Sequence, residues 1–134
     1  MAEPLNFELV SPERLLLSEQ ATEVVVPGMD GYFTVMAHHA PLMSTIKPGV
    51  VDAKLASGGE RRIFVRGGFA DISPSGFMIL AELAMPLEEL DAATLDSEIT
   101  NAQEDVTDAV TDEGRLAAQT RLDQLKELKE ALGR

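Results

Sequence analysis

Up to about residue 86, apolar residues come in short runs rich in Val, Ile, Phe and Leu, cut every eight to twelve residues by turn chemistry. That rhythm predicts an antiparallel all-β sandwich or barrel. Strands are expected near 5–10, 14–18, 21–26, 32–36, 43–46, 50–56, 60–66, 68–73 and 77–83. The clearest piece is "VVDAKLASGGERRIFVRGG". Val51, Ala53 and Leu55 alternate into Ser57-Gly58-Gly59, and Ile63 and Val65 resume the period of two, so the segment reads as a hairpin. "SPSG" at 73–76 is a further turn, with Pro74 setting φ and Gly76 free to take a positive one.

Beyond Pro86 the period changes. Leu95, Ile99, Ala102, Val106 and Ala109 fall on one stripe of a helix over about 91–111, with Asp91 placed to cap its first turn. "TDEG" at 111–114 interrupts the pattern. Leu116, Leu122, Leu125, Leu128 and Leu132 then form a second stripe that ends at Gly133. Two amphipathic helices on so short a connection fold back on each other, each covering the apolar face of its neighbour. The expected organisation is a β domain over 1–86 and a helix-loop-helix domain over 87–134.

Charge and composition narrow the chemistry. The net charge of −12 repels nucleic-acid phosphates and anionic lipid. With no cysteine there are no disulfides, zinc-thiolate sites or thiol nucleophiles. No stretch approaches the roughly 18 apolar residues of a membrane span, so any membrane attachment is expected to be peripheral and through partners. No Lys or Arg occurs between Gly67 and Gly114, so the first helix is acidic. Arg115, Arg121, Lys126, Lys129 and Arg134 outnumber Asp123, Glu127 and Glu130 in the second helix, and the two helices attract across their seam.

The reactive-looking residues gather in "VVPGMDGYFTVMAHHAPLM", residues 25–43. His38 and His39 are the only histidines, and neighbours in an extended loop point to opposite sides, which disfavours a shared metal. No Ser or Asp is spaced to form a relay with them. Gly28, Gly31, Gly67 and Gly68 fit no phosphate-binding pattern and read as turn or bulge positions. The residues on their own therefore describe a binding or structural module without catalytic, metal-binding or cofactor-binding residues. The competing reading is an independent β-sandwich ligand-binding protein or enzyme that uses His39 and Asp30; a third is a helical hairpin serving unrelated partners.

Gly28, Asp30, Gly31, His39-Ala40-Pro41-Leu42 and Lys47-Pro48-Gly49-Val50 resemble the G-x-(acidic)-G … H-A-P-L … (Lys/Arg)-P-G-(apolar) segment of the epsilon subunit family of rotary F-type ATP synthases. Gly67, Gly68, Asp71, Ile72, Leu80, Ala81 and Glu82 resemble a later stretch of the same family, and "LEELDAA" with the two-helix tail extends the likeness over nearly the whole chain. The resemblance implies a ten-stranded β sandwich followed by a helix-loop-helix, placed in the central stalk beside the gamma subunit and on the cytoplasmic face of the membrane c-ring. It implies a non-catalytic subunit that couples c-ring rotation to gamma and the catalytic head during ATP synthesis. Gly28, Met29, Asp30, Gly31, Tyr32, His38, His39, Ala40 and Pro41 would then be c-ring docking residues. Arg115, Arg121, Lys126 and Lys129 would be points of regulatory contact with the beta subunit, beside alpha, by which the hairpin weakly restrains hydrolysis.

Departures from the family pattern are specific. Tyr32, Phe33, Thr34, Ala37 and His38 stand where many bacterial relatives have an acidic residue, an aliphatic, Gly, Pro and Gly, which resembles alphaproteobacterial forms and the mitochondrial delta subunit. Some relatives bind ATP through (Ile/Leu)-Asp-x-x-Arg-Ala. Leu90 and Asp91 match that pattern, but Thr94 and Leu95 replace Arg and Ala, so no ATP binding is expected.

Overall fold

A computed structural model of the chain describes residues 3–133. The chain divides into two compact units, the first running to Leu87 and the second beginning at Glu88.

The first unit holds nine strands: β1 (Leu5–Val10), β2 (Leu15–Gly28), β3 (Gly31–Val35), β4 (Leu42–Ile46), β5 (Gly49–Leu55), β6 (Glu60–Val65), β7 (Gly68–Ser73), β8 (Gly76–Ala81) and β9 (Ala84–Pro86). They are hydrogen-bonded in the order β1-β8-β7-β4-β2-β5-β6-β9, with β3 on β2 and a second pairing of β1 with β2. The inner faces share one core that includes Phe7, Leu9, Val24, Val26, Val51, Ile79 and Phe77, and the rings of Phe7 and Phe77 stack with centroids 5.1 Å apart. Burying such side chains contributes roughly 1.5–3 kcal/mol each.

The nine strands among the described residues are compatible with the ten that the family resemblance implied. Two expectations are corrected. One pairing, β1 with β8, is parallel, from Phe7↔Phe77 to Val10↔Leu80. The two strands expected at 14–18 and 21–26 are a single strand, β2, whose register on β5 shifts between Ala21 and Glu23. One extra residue at that bulge reverses which parity points inward: Leu17 and Ala21 are buried before it, Val24 and Val26 after it. The broken alternation read as a break in the strand.

The hairpin of β5 and β6 forms as its pattern requires, from Gly49↔Val65 to Lys54↔Glu60, and is closed by a bond from the Leu55 amide to the Gly59 carbonyl (2.8 Å). Pro74-Ser75 turns β7 into β8, and Gly76 takes φ +155°.

In the second unit, α1 spans Ala92–Asp108 and α2 spans Asp112–Leu132. Asp91 caps α1, its Oδ1 accepting from the Thr94 amide at 2.7 Å. That amide pulls the carboxyl below its usual range, so the cap's contribution is present above the unfolded pKa and lost as pH falls through the lowered one. The connection between the helices is shorter than "TDEG" suggested. Thr111 is the N-cap of α2, accepting from the Gly114 amide at 3.0 Å, and Asp112 and Glu113 lie in the first helical turn, where the helix dipole favours acids. α1 stops at Asp108, leaving Ala109 extended. Leu95 and Ala102 are buried on α1, as are Leu122, Leu125 and Leu128 on α2. Leu116 is 69% exposed, against expectation. Six residues at about 100° each put it some 120° off the stripe through Leu122. Gly133 ends α2 in the left-handed region at φ +69°.

Gly68 is the tightest backbone position in the sandwich. At φ +123°, a Cβ there would stand 1.9 Å from the Leu80 carbonyl oxygen on the paired strand. Gly68→Ala should therefore lose more than about 2 kcal/mol in a urea melt, while Gly58→Ala, at φ +107° with open space around it, should lose only about 1 kcal/mol of backbone strain. Equal losses would contradict the packing described.

Candidate functional site

The residues singled out in the sequence lie at the two ends of β3. At one end, Met29 and Asp30 form the two-residue turn between β2 and β3, closed by the pair Gly28↔Gly31. A Cβ at Gly28 would meet the Phe33 ring at 2.8 Å and the Gly31 carbonyl at 2.9 Å, and Gly31 itself sits at φ +134°. Two bonds tie this tip to its neighbours: the Met29 amide donates to the Thr45 carbonyl (3.1 Å) and the Lys47 amide to the Pro27 carbonyl (2.9 Å). Met29 is 45% exposed and Tyr32 52%, with Asp30 in the open between them. The tip is thus a rigid, weakly charged knob.

At the other end, Met36-Ala37-His38-His39 makes a turn in which the His39 amide donates to the Met36 carbonyl at 3.2 Å. His38 is the third residue of that turn and has φ +69°, the only described non-glycine residue with positive φ. That is the geometry of a type II turn, which favours Pro-Gly where this chain has Ala37-His38. His38 Nε2 lies 2.5 Å from Glu3 Oε2, and the His39 Nδ1–H donates to the Ala40 carbonyl at 2.7 Å. Ala40 and Pro41 are exposed. An open cleft of about 460 Å³ beside this loop is lined by Glu3, Asn6, Gln20, Ser73 and Ser75 as well as both histidines.

β3 is five residues long, so about 15 Å or more separates the two clusters. Asp30 and His39 therefore do not share a pocket, and the enzyme reading built on that pair loses its geometry. Among the described residues no group of three or more His, Asp or Glu is arranged to hold a metal ion, and no helix is long and apolar enough to cross a membrane.

On the outer face of β5 and β6, Arg62 Nε lies 3.6 Å from Asp52 and 3.3 Å from Glu60. Burial first, then a hydrogen bond with Glu60 and its charge, raises the Asp52 pKa; Glu60 is lowered chiefly by the same hydrogen bond. These are cross-strand charges on a solvated face.

The four cations of α2 are spread along the helix. Arg115 donates to Asp112 (3.4 Å) and to the Ala109 carbonyl (3.3 Å), and Lys129, near the end of α2, pairs with Asp96, near the start of α1. Arg121 is half-buried and Lys126 exposed. At the start of α1, Leu95 is fully buried and the Asp91 carboxylate is engaged as the cap.

A surface that the motifs did not reveal crosses the outer face of the sandwich. Leu15, Val10, Leu80 and Phe69 stand side by side across β2, β1, β8 and β7, through the pairs Val10↔Leu15, Val10↔Leu80 and Phe69↔Leu80. Met78 and Met43 occupy the next row, on either side of Asp71, and Met43 is 66% exposed. The signal was present in "GFMILA", where five successive apolar residues replace the alternation a solvated strand should show.

The first unit is thus a β sandwich with an apolar outer band and a glycine-pinned tip. Residues 4–87 match the family model described as ATP synthase, Delta/Epsilon chain, beta-sandwich domain. The chain is 53% identical over 129 residues to the ATP synthase epsilon chain of Parvibaculum lavamentivorans, covering 96% of this chain and 98% of that one. It is 56% identical over 132 residues to the ATP synthase epsilon chain of Mesorhizobium japonicum, covering 98% of each. The chain belongs to the ATP synthase delta/epsilon family. Its fold is that of a chain in the Euglena gracilis mitochondrial ATP synthase OSCP/F1/c-ring structure (TM-score 0.72, 22% identity, 96% of this chain and 81% of that chain). It is similarly close to a chain of the Tetrahymena thermophila mitochondrial ATP synthase central stalk and c-ring (TM-score 0.70, 12% identity, 94% and 96%).

The left-handed His38 yields a test. A β-branched side chain is poorly tolerated at positive φ, so His38→Val should be about 1–2 kcal/mol less stable than His38→Gly in chemical denaturation. Two variants of equal stability would show that the turn is not left-handed.

Proposed function

We propose that this chain is a non-catalytic central-stalk subunit of a proton-translocating F-type ATP synthase, coupling rotation of the c-ring to the gamma subunit and the catalytic head. It works on the cytoplasmic face of the bacterial inner membrane, attached through its partners. The observation that carries this reading is the apolar band of Leu15, Val10, Leu80, Phe69, Met78 and Met43. A face of this kind left open to water favours association, and a long-lived contact with gamma would cover it. Glu8 and Asp71, set among these residues, suit a partner with basic groups around an apolar centre.

The c-ring contact runs along the free edge of β3, which among the described residues pairs only with β2. From Gly28, Met29, Asp30, Gly31 and Tyr32 it passes the exposed Thr34 and Met36 to His38, His39, Ala40 and Pro41. A strip of that length suits a broad ring better than a point contact, and short turns pinned by glycine and proline resist the twisting load.

Arg115, Arg121, Lys126 and Lys129 are the contact points through which the hairpin would reach acidic segments of the beta subunit. The pair between Asp96 and Lys129 and the acidic face of α1 favour the closed hairpin, so restraint of ATP hydrolysis is weak.

The test is co-purification with gamma. A Phe69→Lys, Leu80→Glu double variant should keep its melting temperature, because both side chains point to solvent and opposite charges suit this directly paired position, and should fail to come down with gamma. Wild-type recovery would overturn the reading. In the same assembled complex, a chain ending after Glu89 should leave hydrolysis nearly unchanged, and a severalfold rise would contradict the account of the hairpin.

A further inference from the structure

Tyr32 is 52% exposed, yet its ring and hydroxyl are both engaged within the tip. The pairing of β2 with β5 runs from Ala21↔Leu55 to Val25↔Asp52 and stops there; beyond it the Pro27 carbonyl accepts from the Lys47 amide and Gly28 pairs with Ile46 of β4. Beyond that point the Val50 amide has no β2 carbonyl to donate to, and it donates instead to the Tyr32 hydroxyl at 3.3 Å. On the same ring, the Lys47 ammonium stands 5.4 Å from the centroid, within cation–π range. Between these two contacts lies Gly49, where a Cβ would be 2.7 Å from the Tyr32 hydroxyl and 2.7 Å from Pro27 Cβ. Pro27 is in turn the cross-strand partner of Tyr32 and accepts from the Lys47 amide. Three elements thus close on one side chain: β3, the Lys47-Pro48 turn and the start of β5.

We infer that Tyr32 is a positioning residue, a clasp that continues the β2–β5 ladder by side chain and fixes the Lys47-Pro48-Gly49 turn against the docking tip. This rests on the c-ring reading above and deepens it: the tip's shape is set by Tyr32 and Lys47 acting on each other, with Gly49 as the space that admits the phenol. A carboxylate at position 32 could hold Lys47 through charge, but it would not span to the Val50 amide while presenting an aromatic face. The clasp keeps Lys47 at the tip while adding no negative charge beside Asp30.

The chain offers an unusually clean probe, because Tyr32 is its single tyrosine and it has no tryptophan. Intrinsic fluorescence of the full-length subunit reads this ring alone. Amide exchange at Val50 and the ring-current shift of the Lys47 ε-methylene protons report the two contacts separately. Tyr32→Phe removes the acceptor and should speed Val50 exchange about threefold to tenfold while keeping the Lys47 shift. Lys47→Met should change the tyrosine emission, and Lys47→Arg should leave it as in the native protein. Gly49→Ala, with Tyr32 intact, should displace the ring and lose both signatures. Unchanged Val50 exchange in Tyr32→Phe, or a Lys47 shift absent from the native protein, would overturn the clasp itself.

The same variants are then bound to a purified rotor of gamma and c-ring. Tyr32→Phe and Lys47→Met should each weaken retention about threefold to tenfold, with Lys47→Arg rescuing. Loss of the spectroscopic signatures with full rotor retention would leave the clasp in place and overturn the c-ring contact on which its positioning role depends.

Discussion

The core can close only if one strand serves both layers, and β2 meets that demand by changing parity in mid-course. Its first half pairs with β1, its second half with β5 and β3, and the bulge between Ala21 and Glu23 lets Leu17 and Ala21 face inward on one side of it and Val24 and Val26 on the other. Without the extra residue, one half of the strand would present its apolar set to water. Thr22, at the bulge, donates its hydroxyl to the Lys54 carbonyl and holds the irregular point against β5. The tip is built on this strand, because β2 delivers Pro27 and Gly28 to it as the end of a continuous ladder.

Stiffness is then maintained by small local devices. Glycines stand where another chain or ring comes too close for a Cβ, as at Gly28 against Phe33 and Gly68 against Leu80. Backbone bonds tie the β2–β3 turn to β4 and the Lys47 turn back to Pro27. None of these groups needs to ionise or react. A part that transmits load needs a defined shape under stress, and an apolar outer face needs a partner, so one construction meets both needs. The hairpin unit follows a different logic: its acidic and basic helices attract, and its caps, Asp91, Thr111 and Gly133, define where each helix starts or stops.

Much of this was legible in the sequence where a local rule and the tertiary context agree. The β5–β6 hairpin, the Pro74 turn, the Asp91 cap and the Gly133 stop were all readable, because turn and cap chemistry is decided within a few residues. Family membership was readable from the Gly28–Val50 motifs. The β2 bulge was not, since a parity change and a strand break leave the same trace in sequence. Nor was the parallel pairing of β1 with β8, which depends on where two distant strands meet. "TDEG" misled because its glycine suggested a break, while its threonine was a cap. The separation of Asp30 from His39 was already implied by the strand expected at 32–36, which lies between them and forms as β3. The apolar band could have been found: outward positions such as Phe69, Met78 and Leu80 break the alternation that water imposes.

The central claim is that this scaffold grips the membrane rotor and turns with it. Since the chain contains no cysteine, a single one at Asp30 provides a unique attachment point. The decisive measurement is proton-driven ATP synthesis by the reconstituted enzyme before and after that cysteine is joined to a c-subunit loop. Efficient joining with synthesis retained is the predicted result, because two parts that rotate together lose nothing by being bonded. Failure to join, or joining that halts synthesis, would contradict it.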